Sequence, residues 1–302
     1  MKKLIFSILL LASTLLQASD IYVKPGESIA DAIRQARELR RLNDPSIEGG
    51  ITIHVAAGNY RIYEPLFLRP EDSGTPSSPT IIKGEGEVIV SGGVTVTGWK
   101  RQGKLMVADV PDFCGRPLDF RQFYVNGKKA VRARDVADFE DMYRIIRVDK
   151  QKRVLWVPAA AVRKIQKAPY AEMVLHEMWC VVNLRIKDIM FAGDSAAVSF
   201  HDPESRIQFE HPWPCPMVTT DGHNSAFYLT NARELLDVPG EWYHDIRAGK
   251  LYYYPRQGEL IEEAVVPAVE TLLRVEGTLD RPVRNIRIEG LTFSYSTWMR
   301  LH

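Results

Sequence analysis

Short alternating runs of apolar and polar residues set the organisation of this chain. Residues 51–99 read ITIHVAAGNY, then EPLFLRP, then TIIKGEGEVIVSGGVTVTGW. Each run is too short for a helix, is rich in Val, Ile and Thr, and is bounded by Gly, Pro and Ser, so each predicts a strand. No helical segment long enough for a crossover lies between them. The chain is therefore expected to coil, each strand stacking on its counterpart in the next turn, as in a parallel β-helix. An echo at 283–293, VRNIRIEGLTF, places Ile286, Ile288, Leu291 and Phe293 at the inward positions of one further coil.

Before the first coils, Ser28 followed by Asp31 is an acidic variant of a capping box. Ile29, Ile33, Ala36 and Leu39 fall on one helical face, with Arg34, Glu38 and Arg41 opposite. This predicts an amphipathic helix that covers the open end of the solenoid. From about residue 100 the pattern changes to hairpins. Asn126-Gly127 lies between 123–125 and 130–131, residues 143–148 face 153–157, and 241–244 face 251–254. The apolar stretch 173–200 supplies further strands, and a short helix is expected at 231–236. Solenoid spacing returns at 265, with strands at 272–275 and 283–293. The expected division is a leader at 1–19, cap and first coils at 20–99, an inserted antiparallel β-sandwich or barrel at 100–262, and resumed solenoid at 263–302. Two or three coils are few for a solenoid, so the front part of a longer polypeptide is expected.

Charge and composition narrow the function. Across 302 residues the formal net charge is +1, which gives no electrostatic reason to expect nucleic acid as a partner. The densest basic run, 37–41, reads as a solvated helix face. Lys2 and Lys3, an apolar stretch over 4–16 and the small Ala18 form a secretory pattern. That stretch is shorter than the ~20 residues that span a bilayer, so the mature chain is expected in the periplasm or secreted, with no stable membrane insertion after cleavage. Cys114, Cys180 and Cys215 match no zinc spacing and form no disulfide framework. They read as buried or partly buried thiols with at most one bridge.

Several segments resemble known proteins. IYVKPG, ADAIRQAR and ITIHVAAGNY are similar to the cap and first coils of the pectate-lyase-like right-handed β-helices. FYVNGKKAVRAR, LLDVPGEWYHDIRAGKLYYYPRQGE and VRNIRIEGLTFSYSTWMR resemble glycoside hydrolase family 141, which carries a β-domain between early coils. The resemblance implies an all-β, right-handed parallel β-helix with an N-terminal capping helix and an inserted antiparallel domain. It also implies action on plant cell-wall polysaccharide, with fucosidase and xylanase activities in the family and catalytic carboxylates in later coils. Thr297, Trp298 and Arg300 match the family's Thr-Trp-x-Arg segment. Leu301-His302 departs from the Pro that more often follows, and the usual Gly-Thr and Pro-Phe segment before the helix is missing.

Glycoside hydrolysis usually uses two carboxyl groups, roughly 5–5.5 Å apart for retention and 6.5–9.5 Å for inversion. The densest polar cluster is His201, Asp202, Glu204, Glu210 and His211, which reads as a Pro-broken loop rather than an acid-base or metal site. His211 and His223 lack zincin spacing, and Asp221-Gly222-His223 reads as a turn. Trp179, Trp213, Trp242 and Trp298 are candidate sugar platforms, with Trp242 assigned to the core. Trp213, between Pro212 and Pro214, and the pair Trp298 and Arg300 are the expected substrate-binding residues. No catalytic residue, metal or cofactor is assigned. The expected partner is a polysaccharide or oligosaccharide, hydrolysed by the full-length protein but not by this chain alone. The alternative is a non-catalytic carbohydrate-binding or surface β-solenoid.

Overall fold

The computed structural model describes residues 18–213 and 215–299. Most of the expected leader and Arg300 lie outside them. The chain is all-β in class and divides into two compact units, Met1–Gly92 with Thr271–Ser294, and Gly93–Glu270 with Tyr295–His302.

The first unit is built on a parallel sheet in the order Ser19–Val23, Ile51–Arg61, Thr80–Ser91, Ile286–Ser294. Its register stacks like on like, with Ile21 beside Ile53, Ile53 beside Ile82 and Ile82 beside Ile288. Period-2 alternation turns these residues to one face, where Ile21, Ile53 and Ile82 are buried. Along the edge strand, Ile286, Ile288 and Leu291 are partly buried and Phe293 is exposed. The ladder shifts register between Ala56 and Gly58 and between Glu289 and Leu291, where the paired strands pass the same level of the long middle strand. Gly84 lies there, and a Cβ on it would meet the Gly290 carbonyl oxygen at 2.2 Å. This glycine is required by the close approach of two backbones. Leu66–Leu68 pairs in parallel with Leu273–Val275.

The helix Ile29–Arg41 forms as its pattern predicts. The Ser28 hydroxyl accepts from the Asp31 N–H, and Ile29, Ala32, Ile33 and Ala36 are buried. The basic run on it is not merely solvated. Arg37 donates to the buried Asp72 carboxylate at 2.8 and 2.9 Å, and Arg40 donates to the Thr80 hydroxyl and the Ser78 carbonyl at 2.8 and 2.9 Å. These residues dock the helix, because a guanidinium on a long stem can reach off an exposed face to buried acceptors.

The second unit holds a seven-stranded antiparallel sheet. Its order runs Tyr143–Arg144, Ala226–Thr230, Glu172–His176, Val181–Ala192, Ser195–Phe200, Val154–Pro158, Arg147–Asp149. It also holds a five-stranded mixed sheet and a four-stranded antiparallel sheet. The Asn126-Gly127 hairpin joins Tyr124–Val125 to Lys128–Lys129, with both turn residues at positive φ. Glu241–Asp245 pairs with Lys250–Tyr253 as expected. The expected strand at 143–148 splits around the buried Ile145: its first part pairs with Ala226–Thr230, its second with Val154–Pro158. The expected helix at 231–236 is a single 3-10 turn, Arg233–Leu235. Where a polar loop was expected, Glu204–Glu210 is helical. The three cysteines are free, and Cys114 is exposed rather than buried because it sits in a tight turn at positive φ.

Candidate functional site

Strand alternation in the second unit separates an apolar face from a polar one. On the seven-stranded sheet, Met173, Leu175, Val182, Leu184, Phe227 and Leu229 point into one core. Their neighbours point the other way. The register sets Asn183 beside Val174 and Val174 beside Tyr228, and in the next row Arg185 beside Glu172 and Glu172 beside Thr230. The first row, with Thr230, forms the floor of a cleft of about 380 Å³.

One wall comes from the segment Val131–Arg132 and the two residues after it. Ala133 is buried in the apolar core, so Arg132 and Arg134 on either side of it face the cleft. An antiparallel bridge between Arg134 and Thr230 fixes that alternation, and the Thr230 hydroxyl donates to the Ala133 carbonyl at 2.8 Å. A second wall is held by Thr297, which is buried. Its hydroxyl donates to Gln122 Oε1 at 2.8 Å and accepts the Arg121 N–H at 3.4 Å, while its own N–H donates to the Val269 carbonyl. This places Trp298, 45% exposed, at the cleft.

Beside the cleft floor, on the same sheet face, Glu172 is 5% exposed. Arg132 donates to both its oxygens at 2.7 and 3.2 Å, and Arg121 Nε stands 3.7 Å away. Burial pushes the Glu172 carboxyl up, but Arg132 and Arg121 outweigh it and hold the group below the usual carboxylate range. Burial dominates at Asp119 and raises its carboxyl above that range despite Arg132. Burial also raises the Tyr228 phenol. Nearby, His244 stacks on Phe120 at 4.6 Å, and burial lowers its imidazole to about 4.

Of the expected binding residues, Trp298 lines this cleft. Trp213 does not. It packs edge-on against Trp179 at 5.1 Å, the two being 40% and 75% exposed. Trp242 is fully buried in a second apolar core with Phe120, Phe123 and Tyr253. The polar cluster at 201–211 is spent on arginines: Glu204 is buried and bound by Arg185, and Glu210 is bound by Arg153. Asp202 accepts the Arg206 N–H at the start of the short helix. Asp221 pairs with His223 in an exposed turn, and hydrogen bonds from Thr219 and His223 lower its carboxyl to about 2. Among the described residues no group of three His, Cys, Asp or Glu side chains is placed to hold a metal, and no helix is long and apolar enough to cross a membrane.

Sequence reasoning missed the arginines. The signal was present in Arg132-Ala133-Arg134, a charged pair two residues apart around a small apolar residue, which in a strand shares one face.

The chain can be compared with known proteins on this basis. The GH141 insertion domain matches residues 103–256. A solved structure described as a glycoside hydrolase is 60% identical, superposes with a TM-score of 0.88, and is matched over 93% of this chain and 51% of its own. The chain thus spans about half the length of that protein. No curated protein matches.

Proposed function

The chain belongs to the GH141 family, and from that premise we propose that it is the glycan-engaging part of an exported glycoside hydrolase. The observation that carries this reading is the cleft itself. An exposed indole, Trp298, lines it together with the amides of Gln122 and Asn183, the latter two within the matched insertion domain. A sugar ring has an apolar face and a rim of hydroxyls, and this lining offers a flat apolar surface next to polar groups that fix orientation. The substrate is plant cell-wall polysaccharide, of the fucosylated pectic or xylan type. Trp213 with Trp179 forms a separate sugar contact.

Binding and cleavage are separate roles here. Among the described residues no Asp or Glu lines the cleft, and Glu204 and Glu210 of the polar cluster at 201–211 are paired with arginines. Hydrolysis by paired carboxyl groups therefore belongs outside this cleft, and the chain by itself binds without cleaving. The parallel stack of the first unit is the beginning of a right-handed β-helix, with Ile29–Arg41 as its cap. An N-terminal leader is removed near Ala18, delivering the chain to the periplasm or medium.

Calorimetric titration with xylan-derived and fucosylated pectic oligosaccharides, run beside a reducing-end assay, tests the proposal. Saturable binding without release of reducing ends is expected. Turnover by this chain that is lost on Asp202→Asn or Glu210→Gln would move hydrolysis into the insertion domain and overturn the separation of roles.

A further inference from the structure

The cleft is more cationic than a neutral sugar requires. Arg121, Lys129, Arg132 and Arg134 line it, and among the described residues no acidic side chain does. Glu172, buried beside the floor, is a counterion already claimed by Arg132 and shared with Arg121. Among the described residues, no carboxylate lies within ion-pair distance of the Arg134 guanidinium or the Lys129 ammonium. The Arg132 Nε is also buried without a hydrogen-bond partner. Cations gathered in a concave, partly desolvated site repel one another, and an incoming anion relieves that repulsion. Trp298 stands at the same cleft, so the site offers a ring platform and a charged edge together.

We propose that this cleft selects a carboxylate-bearing sugar, a uronate, with the ring against Trp298 and its carboxylate toward Arg134 and Lys129. The inference rests on the glycan-binding role proposed above and adds the charge of the residue bound. A guanidinium presents parallel N–H donors that match the two oxygens of a carboxylate. A cleft of about 380 Å³ lies within the ~300–1,000 Å³ range of small-ligand sites.

The chain is titrated calorimetrically with trigalacturonate, its methyl ester, neutral xylotriose and a sulfated trisaccharide. The acid is expected to bind about tenfold or more tighter than its methyl ester, and the gap should narrow as salt rises. Arg134→Gln and Lys129→Gln should each narrow it, with folding checked by circular dichroism. Trp298→Ala should weaken binding of acid and ester alike. The wild-type comparison of acid with ester needs no variant, so a misfolded substitution leaves the test intact. Equal affinity for acid and ester, with binding still dependent on Trp298, overturns the inference and spares the glycan-binding role. Binding of the sulfated sugar but not the uronate overturns the carboxylate assignment. Absence of saturable binding by any of the four sugars overturns both.

Discussion

Replacing Glu172 by Gln removes one negative charge from beside the cleft while keeping the side chain's shape. Arg132 and Arg121 then lose their shared counterion, and their side chains are only 12% and 10% exposed. Breaking a buried ion pair by removing one partner costs roughly 3–5 kcal/mol, mostly because the remaining charge is left uncompensated. Both arginines border the cleft and so retain some access to water, which places the cost near the lower end, about 3 kcal/mol. At ~2–4 °C per kcal/mol for a domain of this size, the melting temperature of the second unit falls by about 6–12 °C. Urea unfolding followed by tryptophan fluorescence reads the change, since the fully buried Trp242 reports on this unit. Adding Arg132→Met to Glu172→Gln should cost less than the sum of the two single changes, because each leaves the other's charge stranded. A loss below about 1 kcal/mol for Glu172→Gln, or strict additivity in the double variant, would refute this picture of the buried pair.

Acid should destabilise the second unit through His244. In the unfolded chain an imidazole takes up a proton near pH ~6.5, whereas the buried ring does so only near about 4. Its contribution is therefore complete above ~6.5 and is lost as pH falls toward 4, by about 3 kcal/mol. His244→Phe, which keeps the stack on Phe120, should flatten that part of the stability profile, and an unchanged slope would count against it. In the first unit, Gly84→Ala forces a methyl against the Gly290 carbonyl oxygen. A loss of about 3 kcal/mol or failure to fold is expected, and wild-type resistance to limited proteolysis would show that the strands can part there.

The sequence carried local features better than distant pairings. Ser28 with Asp31 marked the helix start, and Asn126-Gly127 marked a hairpin, because both depend on neighbours a few residues apart. Alternation in 51–55 and 80–90 exposed the strands of the first sheet. It could not show that Leu66–Leu68 pairs with Leu273–Val275, or that Arg37 reaches Asp72, since those partners meet only through the fold. The helix Glu204–Glu210 was missed because Pro203 read as a breaker, yet a proline at a helix start sacrifices no intrahelical bond. Trp298 could be nominated as a lone aromatic. The face taken by Arg132 and Arg134 depends on the bridge from Arg134 to Thr230, nearly a hundred residues away, which local alternation does not reveal.

The glycan-binding role is tested most directly by isothermal titration of wild-type chain and Trp298→Ala with the same fucosylated pectic and xylan oligosaccharides. Saturable binding is predicted for the wild type. In Trp298→Ala it should weaken about tenfold or more, the order expected when a stacking aromatic is truncated. Equal binding by the two proteins, or no binding by either, would contradict the placement of the glycan in this cleft.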